Sequence, residues 1–452
     1  MSPWILHRAC WTTVAVAAAL SAGARFDAPL RAQSAQPTKL TATERSIAAA
    51  VEAHNGEALS LLERVVNINS GTLNLAGVRQ VGDVLRPRLE ALGFSTRWVD
   101  GAAFHRAGHL VAEHARPGRK ILLIGHLDTV FEPDNPFQRF ERLNDSTARG
   151  PGVIDMKGGD VIILYALRAL ADAGFLDKMN VGIIFDGDEE EPGAPLAAAR
   201  EALVDEAKGA QAALGFEDGA GDPKTAVIAR RGAGSWTLVT GGIPAHSSQI
   251  FKPEYGAGAV YEASRILHEF YTTLSGERYL TFNPGLAIGG TLVTMDTTGT
   301  AGTGAGKTNV VAEHMRVTGD LRTLSPEQRT KAKKAMTEIV SHHLPKTTAE
   351  ISFDDGYPPM APTAGNRRLL AIYDAASRDL GLGAVVAVDP SRAGAADVSF
   401  VAGIVPMIID GIGLSGHDDH SQMETANLRM LPAQTKRAAL VLYRLARPSP
   451  ME

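Results

Sequence analysis

His126-Leu127-Asp128, Asp155, Asp188-Glu189-Glu190, Glu217 and His420 are the residues whose types suit metal-assisted chemistry. Two imidazoles and three carboxylates among them are enough to hold two metal ions, and one further carboxylate is left to act as a base. No Gly-x-Ser-x-Gly nucleophile motif accompanies them, and the one cysteine, Cys10, lies near the N-terminus.

The segments around these residues are those that would present them in an α/β fold. Lys120-Ile121-Leu122-Leu123-Ile124-Gly125 is apolar after its Lys and reads as a buried parallel strand, with His126 and Asp128 at its carboxyl end. Open α/β sheets build their sites at that end. The strand-like run Asn180 to Phe185 leads in the same way into the acids that follow Asp186. A solvated loop would tolerate such acids, and a cation among them would supply the missing counter-charge. Asp155 sits in the glycine-rich turn Arg149 to Gly159 before an apolar helix from Val161 to Leu170, where a carboxylate is also an ordinary helix cap.

Gly125-His126-Leu127-Asp128-Thr129-Val130, Gly150-Pro151-Gly152-Val153-Ile154-Asp155, Asp188-Glu189-Glu190, Leu214-Gly215-Phe216-Glu217, Pro244-Ala245-His246-Ser247 and His420-Ser421 together resemble the co-catalytic zinc exopeptidases. That family includes glutamate carboxypeptidases of the carboxypeptidase G type, to which the pattern is nearest, aminoacylases and succinyl-diaminopimelate desuccinylases. The resemblance runs from about residue 45 to the C-terminus. It implies two zinc ions, one held by His126 and Glu217 and the other by Glu190 and His420, bridged by Asp155 and a water or hydroxide. It implies Glu189 as general base and Asp128 as the carboxylate that orients His126. His417 lies one helical turn before His420, with Asp418 and Asp419 between them. His420 is preferred because the family's histidine precedes a Ser and stands a few residues before a Glu, here Glu424.

The resemblance also implies the fold: a zinc-exopeptidase-like α/β/α catalytic domain with an inserted ferredoxin-like α+β lid that dimerises. The residues support that organisation independently. Helical patterns from Glu44 to Val66 and from Gly77 to Leu92 open a catalytic part spanning 44–231. The pattern then changes to a strand at Ser235–Thr240, a helix at Tyr255–Leu274, strands at Gly285–Val293 and Val310–Leu321, a helix at Pro326–Leu344 and a strand at Thr347–Phe353. This β-α-β-β-α-β order is the split ferredoxin-like unit, over 232–355. Ser325-Pro326-Glu327-Gln328 marks a helix start, with a capping Ser and Pro at the first position. The catalytic part resumes over 356–452.

With 452 residues the chain exceeds one average domain, and 44% hydrophobic residues are ample for a core. A net charge of −5 without a basic stripe argues against nucleic acid as a partner. His7 and Arg8 precede an apolar stretch from Trp11 to Leu20 and then Ala22-Gly23-Ala24, the pattern of a secretory signal within a leader and linker over 1–35. The apolar run is too short for stable membrane insertion, which needs about 20 residues. A secreted or periplasmic protein is therefore expected, and removal of the leader would leave no cysteine for a disulfide.

Ala301-Gly302-Thr303-Gly304-Ala305-Gly306-Lys307-Thr308 has the look of a phosphate loop, but the residues after it are strand-like where such a loop needs a helix. A hairpin loop is the better account. By resemblance, His246 and Asn309 bind the substrate carbonyl, with His246 supplied by the partner subunit. Where the carboxypeptidase G pattern has Gly-Arg-Pro, with the Arg gripping the substrate carboxylate, this chain has Gly356-Tyr357-Pro358. Arg392 is the first replacement candidate, since a guanidinium binds a carboxylate bidentately, and Arg230, Arg231 and Arg322 are further candidates that could equally be structural ion-pair partners. The expected substrate is a small peptide or N-acyl amino acid, cut at a C-terminal residue, with aminoacylase or dipeptidase specificity as the alternative.

Overall fold

Helix α1 (Ala42–Val66) starts at a reciprocal cap: Thr41 Oγ1 accepts from the Glu44 N–H and the Glu44 carboxylate accepts from the Thr41 N–H. After α2 (Leu75–Ala91) come β1 (Ser95–Asp100), β2 (Gly108–His114), β3 (Lys120–His126), α3 (Lys157–Asp172), β4 (Asn180–Asp186) and β5 (Ala210–Gly215). The computed structural model describes residues 40–296 and 298–447, so the secretory signal read over 1–35 lies outside it.

The continuous apolar runs are strands buried on both faces. In β3, Ile121 and Leu123 join the core built with α1, α2 and α3, while Leu122 and Ile124 join a second core on the opposite face. β3 lies between β4 and β5 and runs parallel to both. The expected helix over 161–170 begins earlier, at Lys157. There Gly159 lets the helix approach the backbone before Glu217 so closely that a Cβ would stand 2.0 Å from the Phe216 carbonyl oxygen.

Residues of the expected lid form a separate antiparallel sheet: β6 (Gly232–Gly241), α4 (Ala259–Leu274), β7 (Thr281–Gly290), β8 (His314–Thr323), α5 (Pro326–Ser341) and β9 (Thr348–Tyr357). The strand order is β7-β8-β6-β9, and Trp236, Leu238, Ile266, Phe270, Val317 and Met336 fill the space between the sheet and its helices. This is the ferredoxin-like order read from the sequence. Ser325 caps α5 as expected, accepting from the Gln328 N–H.

Several lid boundaries differ from the reading; α5 ends at Ser341 rather than Leu344, and β9 runs on to Tyr357 rather than ending at Phe353. α4 starts at Ala259 rather than Tyr255, after Gly258 in a positive-φ conformation (80°) that a helix cannot include. The strand expected at 285–293 is divided between β7 and a hairpin strand, Leu292–Met295. The strand expected from Val310 starts at His314, because the Val311 N–H is used by the Ala245 carbonyl. In the phosphate-loop-like stretch, Gly302–Ala305 pairs antiparallel with Leu292–Met295 and no helix follows it directly.

The chain returns through α6 (Ala364–Asp379) and β10 (Ile408–Ile409), which pairs parallel with β5 as the sixth strand of the first sheet, in the order β1-β2-β4-β3-β5-β10. α7 (Met430–Ala446) then packs on α1 and α3. Among the described residues no helix is long and apolar enough to cross a membrane.

Candidate metal centre

β3, β4 and β5 end side by side, so the residues that follow them meet. His126 Nε2 lies 3.2 Å from Asp155 Oδ1 and 3.5 Å from Glu217 Oε1. The other oxygen of the same aspartate, Oδ2, is 2.9 Å from His420 Nε2, which is 3.2 Å from Glu190 Oε2. Asp155 is thus the carboxylate shared by two imidazole-centred groups. An oxygen of Glu189 joins the first of them, within 4.8 Å of ligand atoms from His126 and Glu217.

His420 reaches Asp155 from a turn in which Asp418 (φ 64°) and His420 (φ 57°) both adopt the left-handed conformation. Non-glycine residues hold it at a cost, which is common where a side chain must be aimed. His417, the alternative histidine, sits in a short strand paired with Thr425 and takes no part in the cluster. Asp419 forms a third group with Asp155 and His420. The sequence reading passed over it as a spacer, although its adjacency to His420 in an acidic run was a usable signal.

The supports of the cluster come from far along the chain. Asp128 is fully buried, and its carboxylate accepts from Thr72 Oγ1 at 2.7 Å and from the N–H groups of Glu189 and Glu190 at 3.1 Å each. Its Oδ1 is 3.4 Å from His126 Nδ1, and its carbonyl oxygen is 3.1 Å from the same nitrogen. One residue therefore turns His126 Nε2 toward Asp155 and also anchors the loop bearing Glu189 and Glu190. The second duty and the Thr72 partner were not evident from the sequence.

Glu424 does the equivalent for Asp155, accepting from the N–H groups of Gly152, Ile154 and Asp155 at 2.9, 2.9 and 3.3 Å. Glu424→Ala would leave three buried donors without their acceptor and loosen Asp155. It should weaken zinc binding about 10–100-fold. Calorimetric titration of the metal-free protein would measure this, and unchanged affinity would refute the support role.

The donor set fits divalent metal. Bonds of about 2.0–2.1 Å put tetrahedral N and O ligands about 3.3–3.4 Å apart, and the four separations around Asp155 bracket that value. The charge balance agrees. Burial and then the Asp155 charge push Glu190 up to about 7, and its Oε1 is buried without a hydrogen-bond partner. Burial, together with the Asp155 and Glu189 charges, holds Glu217 well above the carboxylate range against the opposing pull of His126. Hydrogen bonds that the His420 imidazole donates to the Asp155 and Glu190 carboxylates push it up to about 11. Carboxylates that raise one another's pKa in this way lack a counter-charge, and cations would supply it.

A concavity of about 570 Å³ between α1, α2 and α3 contains none of these residues. The residues expected to bind substrate lie elsewhere too. The His246 turn pairs with the Asn309 loop, the Ser247 N–H donating to the Asn309 carbonyl at 2.9 Å. Both side chains are exposed, and among the described residues no hydrogen bond or ion pair within the chain joins either to the carboxylate cluster. Arg392 is exposed on the turn Pro390–Arg392. Tyr357, which stands where the carboxypeptidase G pattern has its Arg, has its hydroxyl 2.7 Å from Arg200 Nη2 and 3.1 Å from the Glu189 carbonyl oxygen.

A family model described as "Peptidase family M20/M25/M40" matches residues 122–447. The chain is 26% identical over 395 residues to carboxypeptidase G2 of Pseudomonas sp. (strain RS-16), covering 86% of this chain and 89% of that protein. Among solved structures, aminopeptidase PepT from Bacillus cereus superposes with a TM-score of 0.68 at 17% identity, covering 87% of this chain and 99% of that one. A dinuclear metal binding peptidase of the M20 family from Bacillus subtilis superposes with a TM-score of 0.58 at 16% identity, covering 87% and 99%.

Proposed function

Because the chain belongs to peptidase family M20/M25/M40 and is a metallopeptidase-type hydrolase, we propose that it is a secreted or periplasmic dizinc exopeptidase that hydrolyses the amide bond to a C-terminal amino acid. The observation that carries this reading is the placement of Asp155 between His126 and His420, with Glu189 beside the first group. His126 and Glu217 would hold one ion, Glu190 and His420 the other, and Asp155 both. Asp128 would keep His126 aimed.

Bound there, divalent ions would supply a Lewis acid for the scissile carbonyl and lower the pKa of the attacking water. The chain's own residues do the rest. Glu189 takes the proton from the water as the C–O bond forms and passes it to the amine nitrogen as the C–N bond breaks.

Residues 232–355 are read as a lid between catalytic parts 44–231 and 356–452, and as the surface of a homodimer. Exposed Phe251, Tyr261 and Tyr271 on the lid support that reading, as does the exposure of His246 and Asn309, which a partner's site would cover. Aminoacylase or dipeptidase specificity on the same site is the alternative. It is favoured by Tyr357, whose hydroxyl is already engaged and cannot grip a carboxylate as an arginine would; Arg392 is the candidate for that task.

The test is hydrolysis of N-acyl-glutamate, N-acyl-aromatic and dipeptide substrates by zinc-loaded protein, with and without chelator. Chelator-sensitive release of a C-terminal amino acid is expected, from protein that light scattering shows to be twice the monomer mass. Hydrolysis confined to dipeptides would favour the alternative. Hydrolysis of none of them would overturn the exopeptidase reading.

A further inference from the structure

The inward turn of Tyr357 has a local cause. At the end of β9, Asp354 pairs with Ser235 but Tyr357 pairs with Ala233, so β9 carries one residue more than β6 over this stretch. Gly356 lies within the bulge at φ 47°, and a Cβ there would stand 2.1 Å from the Ala233 carbonyl oxygen. Glycine alone suits both conditions. An extra residue of this kind re-aims the side chain next to it. The Tyr357 ring then packs edge-on against Phe400, with centroids 4.8 Å apart.

The direction of the hydrogen bonds follows from donor chemistry. A guanidinium can only donate, so the phenol oxygen accepts from Arg200 Nη2, and its own hydrogen is left to donate to the Glu189 carbonyl. Arg200 is fixed in turn. It is 1% exposed, with Asp188 Oδ1 at 2.6 Å, Asp397 Oδ1 at 2.7 Å and the Asp188 carbonyl at 3.0 Å. Glu189 is therefore gripped on both sides of its α-carbon, its N–H by Asp128 and its C=O by Tyr357.

We infer that Tyr357 is a positioning residue, which through the Glu189 carbonyl sets where the Glu189 carboxylate stands beside the metal cluster. Tyr357 is also the last residue of β9, which runs two residues past the lid boundary read at 355, so the same bond ties the end of that edge strand to the loop bearing Glu189. The residue that replaces the Arg of the carboxypeptidase G pattern thus serves the catalytic loop. This inference rests on the reading of Glu189 as general base.

The test is Tyr357→Phe in the zinc-loaded full-length enzyme. Phe keeps the ring packing and removes both hydrogen bonds of the hydroxyl, the one accepted from Arg200 and the one donated to the Glu189 carbonyl. The expected result is a kcat about tenfold lower, with KM changed less than about twofold, two metal equivalents retained and a melting temperature lowered by only a few degrees. A merely structural role would lower the melting temperature without lowering the kcat of the fully metal-loaded, folded enzyme. An unchanged kcat would overturn the inference, as would a loss that tracks missing metal and disappears on reloading. Glu189→Gln separates the two readings. If it abolishes turnover while Tyr357→Phe leaves kcat intact, Glu189 stands as base and only the role of Tyr357 falls; if Glu189→Gln itself turns over normally, the base reading falls first.

Discussion

Glu189→Gln should lower kcat by up to about 10⁴-fold, the upper range for removing a positioned general base, while both metal ions remain bound. The amide has the size of the carboxylate, and the bonds that hold residue 189 in place are made by its backbone N–H and C=O, which the substitution does not touch. What disappears is the ability to accept a proton from water. Glu190 cannot take over that task, because its Oε2 is committed to the His420 side of the cluster, 3.2 Å from Nε2. Steady-state kinetics alongside elemental analysis of bound metal would check this. A variant that keeps its metal and turns over within about twofold of the parent would remove Glu189 from the chemistry.

Replacing Arg200 by Leu should cost about 3–5 kcal/mol of folding stability, the range for breaking a buried ion pair from one side. Asp188 is completely buried, and burial pushes its carboxyl up to about 6 even with the guanidinium alongside. Asp397 is nearly as buried and bonds to the same guanidinium. Burial, followed by the charge of Asp397, holds the neighbouring Asp186 well above the carboxylate range. Removing Arg200 therefore leaves closely spaced carboxyls without their cation, in a place that water does not reach. Urea unfolding of the metal-loaded protein would measure the loss. A midpoint shift worth less than about 1 kcal/mol would mean that these carboxyls are balanced in another way.

Much of the fold was legible because its signals are local. Uninterrupted apolar runs at 120–125 and 180–185 announced strands covered on both faces, and acids or histidines directly after them announced a site at the strand ends. The lid's β-α-β-β-α-β order was legible for the same reason, while several of its boundaries moved, at Gly258 because of a positive φ and at Val311 because of a loop hydrogen bond. Thr72 and Arg200 were not legible. Each is an ordinary residue in its own segment and acquires its role from a partner 56 or 157 positions away.

The sequence by itself determined which residue types stand at which strand ends, and hence that imidazoles and carboxylates sufficient for two metal ions would gather at one edge of the sheet. A strand's period of two and its burial on both faces are properties of a few consecutive residues, so they can be read without the fold. Only the tertiary structure decided how the His420 imidazole is turned onto Asp155, that Asp128 holds Glu189 as well as His126, and that Tyr357 faces the catalytic loop. Those outcomes turn on a pair of left-handed residues, a buried carboxylate shared between two strand ends and a one-residue bulge. A single backbone rotation or one extra residue reverses the direction of a side chain, and what makes that direction worth its cost is a partner that sequence spacing does not reveal.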